Sequence, residues 1–260
     1  MIFGWWTKRR RHKLLSQPLP DQWREVIVDR LAVYPLLSAA EQQRVHDYVR
    51  VFIPEKNWEG CLGFELTEEV QVTIAAQVAL LVLGFDDEYF DHVRSILVYP
   101  QTYVAPDSPH NHSGIVDERG SARDGEAWYR RPVILAWDEV LADVRAPEYG
   151  SNLVVHEFAH QLDMQNGSHA DGVPPMTSRA QFERWSKVVT HEYEQLGQAC
   201  RHRRETLLDC YGTTNMAEFF AVSSEVFFTL PVELREEHAE LYDVLREYYR
   251  QDPARRAQGA

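Results

Sequence analysis

The chain has 260 residues, 44% of them hydrophobic and 12% aromatic, which is enough to pack one large domain and too apolar for a disordered chain. Its 27 Lys plus Arg are outnumbered by 40 Asp plus Glu, and the formal net charge of -13 opposes any sequence-independent grip on a phosphate backbone. The three cysteines, Cys61, Cys200 and Cys210, form no C-x-x-C pair, which argues against a disulfide framework and for a reducing compartment.

In chain order, the first feature is basic: Lys8-Arg9-Arg10-Arg11, followed by His12 and Lys13 and preceded by Trp5-Trp6. It reads as a flexible basic arm over residues 1–20, with a weak membrane-surface or acidic-partner contact as the sharper reading. No apolar run follows these charges, so no signal peptide is expected. Residues 21–35 and 40–53 place apolar side chains such as Val26, Ile27, Leu31, Val45 and Val49 at helical spacing. Thr67 can cap a helix running to about Leu83, apolar almost all round and therefore buried, with Gly84 as its stop. The longest apolar stretch, Val72 to Phe85, contains Gln77 and is too short to span a bilayer. A cytoplasmic protein without a membrane span is expected.

The middle of the chain changes character. Residues 95–99, 102–104 and 133–137 read as short strands. Residues 106–131 between them are rich in Gly, Pro, Asp, Ser and His, and read as a long functional loop or a ragged hairpin. Ser151 or Asn152 can cap the next helix, which Asn166-Gly167 stops. Ser178 and Asn215 can cap two more, and Pro231 suits the first turn of a final helix bearing Leu234, Leu241, Leu245 and Tyr248. Helices, a small mixed sheet and further helices make an α+β domain spanning 21–255: helices in 21–90, sheet and loop in 91–140, and metal-binding helices in 150–250.

The chemistry sits at Val154-Val-His-Glu-Phe-Ala-His-Gln-Leu162. Four residues apart on a helix, His156 and His160 share a face and can reach one zinc ion. Glu157 lies beside that face, where it can take a proton from an attacking water without being a ligand. With 11 histidines in the chain, H-E-x-x-H arises by chance roughly four times in a hundred, and the apolar residues at 154, 155, 158 and 159 lower that to about a few in a thousand. Two solvated or core histidines are the plain alternative, disfavoured because so apolar a helix is buried and buried histidines need partners.

A catalytic zinc wants three protein ligands and an open position. No third His stands at the H-x-x-G-x-x-H spacing, so a Glu from a second helix is the other solution, the gluzincin pattern. Glu218 is the best candidate, although Asn215-x-x-Glu218 also reads as a capping box. Glu225 is the runner-up as ligand or as a partner behind one. Asp163 can accept the outer ring N–H of a ligand histidine, or be a solvated acid at a helix end. His110 and His112 read as exposed loop histidines before they read as a second metal site.

His-Glu-Phe-Ala-His-Gln-Leu-Asp163, Asn166-Gly167 and Gly172-Val-Pro174 resemble the Mlc titration factor A family of metallopeptidases. So do Gly63-Phe-Glu-Leu66, Val98-Tyr-Pro100, Val222-x-x-Glu225-x-Phe-Phe228 and Gln251-Asp-Pro253. The resemblance implies a zincin-like domain related to the anthrax lethal factor catalytic domain, with one zinc per chain on His156, His160 and Glu218, and Glu157 as general base. It also implies that Tyr211 faces the site, that the activity is aminopeptidase-like on a peptide substrate, and that an Mlc-type transcriptional repressor is a protein partner, the long loop being able to cover the cleft. The rivals are a regulatory binding protein with a structural or vestigial zinc site, which would have no use for Glu157, and a nucleic-acid binder, which the charge opposes.

Overall fold

Capping side chains start six of the described α-helices. The computed structural model describes residues 2–101, 132–167 and 169–259. It opens with α1 (Ile2–Leu15), α2 (Asp21–Arg30) and α3 (Ala39–Glu55). Ser38 starts α3 with a full capping box: Glu41 N–H donates to the Ser38 hydroxyl at 3.3 Å, and the Glu41 carboxylate accepts from Ser38 N–H at 2.8 Å. Thr67 caps α4 (Glu68–Leu81), which is buried on nearly every side. Such a cap contributes about 1 kcal/mol. Gly84 lies beyond the end of α4 and serves a different purpose from the expected stop. A Cβ there would sit 1.9 Å from the Tyr249 carbonyl, so only glycine lets these two backbones approach.

The basic segment expected as a flexible arm is helical, and α1 is tied to α3. The Arg11 guanidinium grips Glu55 with bonds of 2.8 and 3.1 Å and stacks over the Tyr89 ring at 4.2 Å, while Arg10 donates to the Pro54 carbonyl at 2.6 Å. Arginine makes this attachment because its planar fork can pair and stack at once.

The sheet contains β1 (Asn57–Gly60), β2 (Ser95–Tyr99) and β3 (Val133–Ala136), in the order β1-β2-β3. All three are parallel, with Trp58 opposite Ile96 and Leu97 opposite Ile134, so the mixed sheet expected from sequence is corrected to a parallel one among the described residues. Parallel pairing requires a crossover, and α4 supplies the one between β1 and β2. The expected strand at 102–104 lies outside the described residues. The third expected strand stops one residue early, because Trp137 begins α5 (Trp137–Arg145).

Five helices follow: α6 (Leu153–Asp163), α7 (Arg179–Arg201), α8 (Met216–Thr229), α9 (Pro231–Glu237) and α10 (Ala239–Tyr249), before a short α11 (Pro253–Gln258). The single final helix expected after Pro231 is broken at His238, whose φ of -132 and ψ of 56 leave the helical region. Cys200 and Cys210 form a disulfide, with Cα atoms 5.8 Å apart, and Cys61 stays free. This corrects the expectation of no disulfide and removes the cysteine count as a ground for a reducing compartment. The end of α7 and the turn at 210–213 meet in space, which no count of cysteines reveals. No helix among the described residues is long and apolar enough to cross a membrane.

One buried cluster runs from α2 to α11 and fixes α6 at its centre. Phe158 of α6 packs edge-on against Phe52 of α3 at 5.8 Å and against Phe90 at 4.9 Å between ring centroids. Lys56 lies beside this aromatic group, 7% exposed, donating to the carbonyls of Tyr89 at 2.8 Å and Phe90 at 2.6 Å. Burial pushes its pKa from 10.5 down to about 8.

Because the folded value lies below the unfolded one, between them the unfolded chain binds the extra proton, and stability rises with pH across that window. Wild type should therefore gain about 2 kcal/mol on Lys56→Met between pH 7 and pH 10. Urea unfolding of both proteins at the two pH values measures this, and a constant difference would show that Lys56 titrates normally.

Candidate metal centre

Three elements hold the start of α6. Asn152 caps it, accepting from Val155 N–H at 3.0 Å. Asp143 of α5 accepts from Leu153 N–H and from the Ser151 hydroxyl, both at 2.7 Å. Glu225 of α8 accepts from Asn152 N–H at 2.6 Å. Helix N–H groups left without intrahelical partners thus find carboxylates, which also suit the positive end of the helix dipole.

From this fixed start, His156 and His160 project one turn apart toward α8. Asn215 caps α8 through Glu218 N–H at 3.0 Å. Only this half of the expected capping box forms: the Glu218 carboxylate turns to the histidines. Its Oε2 lies 3.0 Å from His156 Nε2 and 3.3 Å from His160 Nε2, and the two Nε2 atoms are 3.2 Å apart. A tetrahedral zinc with bonds of about 2.0–2.1 Å would place its ligand atoms roughly 3.3 Å from one another. The spacing and the chemistry of two imidazoles and one carboxylate therefore fit such an ion, and these three residues are the metal-capable group found among the described residues.

The electrostatics agree with a site made for a cation. Burial opposes ionisation of Glu218, yet its bonds with His156 and His160 hold the carboxyl far below the usual carboxylate range. Burial likewise opposes protonation of His156, and the bonds with Glu218 and Glu225 override it. Without a metal, positive charge between these side chains comes from protons. Glu157 behaves differently: burial pushes its carboxyl up, against the pull of the neighbouring imidazoles.

Glu225 stands behind the cluster rather than in it. Its Oε1 receives the His156 Nδ1 proton at 2.7 Å, which would free the Nε2 lone pair for a metal ion once one replaces the proton shared with Glu218. Tyr211 lies in the turn at 210–213, with its ring centroid 6.2 Å from that of His156. A cleft of about 690 Å³ opens beside them, lined by His156, Tyr211, Glu225, Leu208, Val222 and Asp209 among others. This is the size of a ligand pocket.

Asp163 takes neither expected role. It is fully buried, and its Oδ2 accepts from Gly172 N–H at 2.7 Å. Its Oδ1 and His160 Nδ1 each lack a hydrogen-bond partner among the described residues. Burial pushes its carboxyl up to about 6. Gly172 has a φ of +81, and a Cβ on it would lie 2.4 Å from the Met216 carbonyl. The Trp185 indole donates to its carbonyl at 3.0 Å. One backbone strand thus links the end of α6 to the start of α8. Sequence reasoning missed Asp143, which lies ten residues from the N–H it caps, and saw Gly172 only as a short tag. His110 and His112, with the loop around them, lie outside the described residues.

Residues 4–250 match the model of a family described as glucose-regulated metallo-peptidase M90. An uncharacterised protein of Synechocystis is 37% identical over 255 residues, covering 97% of this chain and 92% of its own. Mlc titration factor A of Yersinia enterocolitica is 31% identical over 244 residues, covering 90% and 87%. Mlc titration factor A of Yersinia pestis is 30% identical over 237 residues, covering 90% and 86%.

Glu218→Ala should weaken zinc binding more than Glu225→Ala, which should cost about 10- to 100-fold by releasing His156. Zinc titration of both variants against a chromogenic chelator ranks them, and the reverse order would make Glu225 the ligand. Gly172→Ala should destabilise the fold by at least about 2 kcal/mol, because its backbone conformation and the Met216 carbonyl both exclude a side chain. A wild-type thermal midpoint would show that the contact yields.

Proposed function

The chain belongs to the glucose-regulated metallo-peptidase family, and on that premise we propose that it is a zinc-dependent peptidase of gluzincin type, zincin-like in fold, that hydrolyses peptide bonds. The carrying observation is the convergence of His156 Nε2, His160 Nε2 and Glu218 Oε2 at 3.0 to 3.3 Å, with the half-buried carboxyl of Glu157 one residue past the first histidine. His156, His160 and Glu218 would hold one zinc per chain. When bound, the ion supplies Lewis-acid polarisation of the scissile carbonyl and acidifies a water.

Glu157 is the general base. Its raised proton affinity suits it to take a proton from the attacking water and to deliver it to the leaving amine. Tyr211 donates its O–H to the carbonyl oxygen as negative charge gathers there, a bond that strengthens toward the tetrahedral state. Glu225 fixes the tautomer and plane of His156. An extended substrate has β3 to pair with, since β3 is the last strand of the sheet and its outer edge is unpaired among the described residues. The partnership with an Mlc-type repressor rests on the likeness to relatives named Mlc titration factor A, and the aminopeptidase type on the sequence resemblance alone.

Metal analysis of the purified protein should give one zinc per chain, lost in His156→Ala or His160→Ala, since two ligands rarely retain a catalytic zinc. Full zinc in either variant contradicts the ligand set. Glu157→Gln should keep the zinc and lose turnover on a peptide panel by roughly a hundredfold or more. Undiminished turnover would turn the reading toward a binding protein with a structural metal.

Tyr211→Phe removes one hydroxyl and should preserve fold and zinc content. Its kcat should fall roughly a hundredfold to a thousandfold while KM changes little. Wild-type kcat would leave Tyr211 a packing role.

A further inference from the structure

Five of the 27 Lys plus Arg lie within the first 20 residues, and none of the 40 Asp plus Glu does. The rest of the chain therefore carries all of the negative charge, and α1 is a concentrated positive exception. Its packed side presents Thr7, Arg11 and Leu14, and Arg11 is engaged with Glu55, Asp91 and Tyr89. Its other side presents Lys8, Arg9, Arg10, His12 and Lys13 to solvent. Two of the largest apolar side chains in the protein share that open side: Trp5 is 56% exposed and Trp6 is 60% exposed. The two indoles meet edge to face, with centroids 5.2 Å apart, and the Arg9 guanidinium lies 5.4 Å from the Trp5 ring centroid.

We propose that α1 is a docking helix for an anionic lipid surface. Lys8, Arg9 and Lys13 meet the headgroup phosphates, and Trp5 and Trp6 enter the boundary between headgroups and acyl chains. Indoles favour that boundary because one edge is apolar and the N–H remains wet. Basic residues beside them add an attraction that reaches about one Debye length. A nucleic acid fits less well. One indole face is taken by Arg9 and the pair meets at its edges, so it offers no flat platform for base stacking. Two indoles and a few cations make a peripheral, reversible and salt-sensitive attachment, far weaker than a membrane span. The attachment is independent of the peptidase reading, because no described side chain of α1 enters the metal cluster or its cleft.

The test is flotation of the full-length, zinc-loaded protein with vesicles. One set contains equal parts of phosphatidylglycerol and phosphatidylcholine, and the other contains phosphatidylcholine alone. The protein should float with the first set at low salt, be released as salt rises, and stay behind with the second. The Lys8→Gln, Arg9→Gln, Lys13→Gln triple variant should lose affinity by at least about tenfold. Trp5→Ala with Trp6→Ala should likewise lose flotation at low salt, by at least about tenfold in affinity. Both variants should keep the wild-type thermal midpoint and zinc content, which separates lost docking from lost folding. Wild-type protein that fails to float, triple-variant protein that floats like wild type, or duplex DNA that displaces wild type from the vesicles at equal phosphate would each overturn the proposal.

Discussion

Glu225 makes two hydrogen bonds that hold the site in register. One oxygen receives the His156 ring proton, and the other receives the Asn152 backbone N–H at the start of the same helix. A single buried carboxylate on α8 thereby fixes both the rotation of the first histidine and the position of the helix that bears it. Without such a link, packing of apolar faces would set the distance between α6 and α8 only loosely. Hydrophobic contact is non-directional, and donor atoms 3 Å apart need direction. The Asp163–Gly172–Met216 contact repeats the device at the opposite end of α6. With both ends of the helix referred to α8, the two histidines and Glu218 have little freedom to separate.

The arrangement works against local stability. Glu157, Glu218 and Asp163 gather around one helix, and burial raises the cost of charge on each. The site resolves this unevenly. Glu218 is kept ionised by the histidines, whereas Glu157 and Asp163 are pushed toward their neutral forms. Carboxylates of one chemical type, a few residues apart, are thus set to different proton affinities by their surroundings, which suits one to hold a cation and another to exchange a proton.

Local rules were legible in the sequence. Ser178, Thr67, Asn152 and Asn215 all cap the helices they precede, because a cap depends only on the next three residues. The two histidines and Glu218 were also legible, since helical spacing places the first pair and an apolar helix draws the third inward. What escaped depends on distant partners. Strand β1 reads Asn-Trp-Glu-Gly, too short and with too little apolar surface to stand out in the sequence, and pairs because β2 offers it hydrogen bonds. Its parallel sense follows from the crossover through α4, not from its own residues. Asp143 and Gly172 act on backbone groups that only folding brings near, and Cys200 meets Cys210 for the same reason. The helix at 2–15 is poor in apolar spacing and is secured by Arg11 reaching residues 44 and 80 positions away.

The cluster also has a topological side. His156 and Glu218 are 62 positions apart, so any ion shared between them closes a large ring in the chain. The Cys200–Cys210 bond, spanning 10 positions, closes a smaller ring wholly inside it. In a chain unfolded with that bond intact, the inner ring removes slack from the outer one. The entropy of loop closure grows with the logarithm of contour length, so the saving is modest, but it acts before any native contact forms. Refolding with the bond intact thus starts from a partly cyclic polymer, and an ion that selects the folded state would complete a nested pair of rings threading α7 and the turn that carries Tyr211.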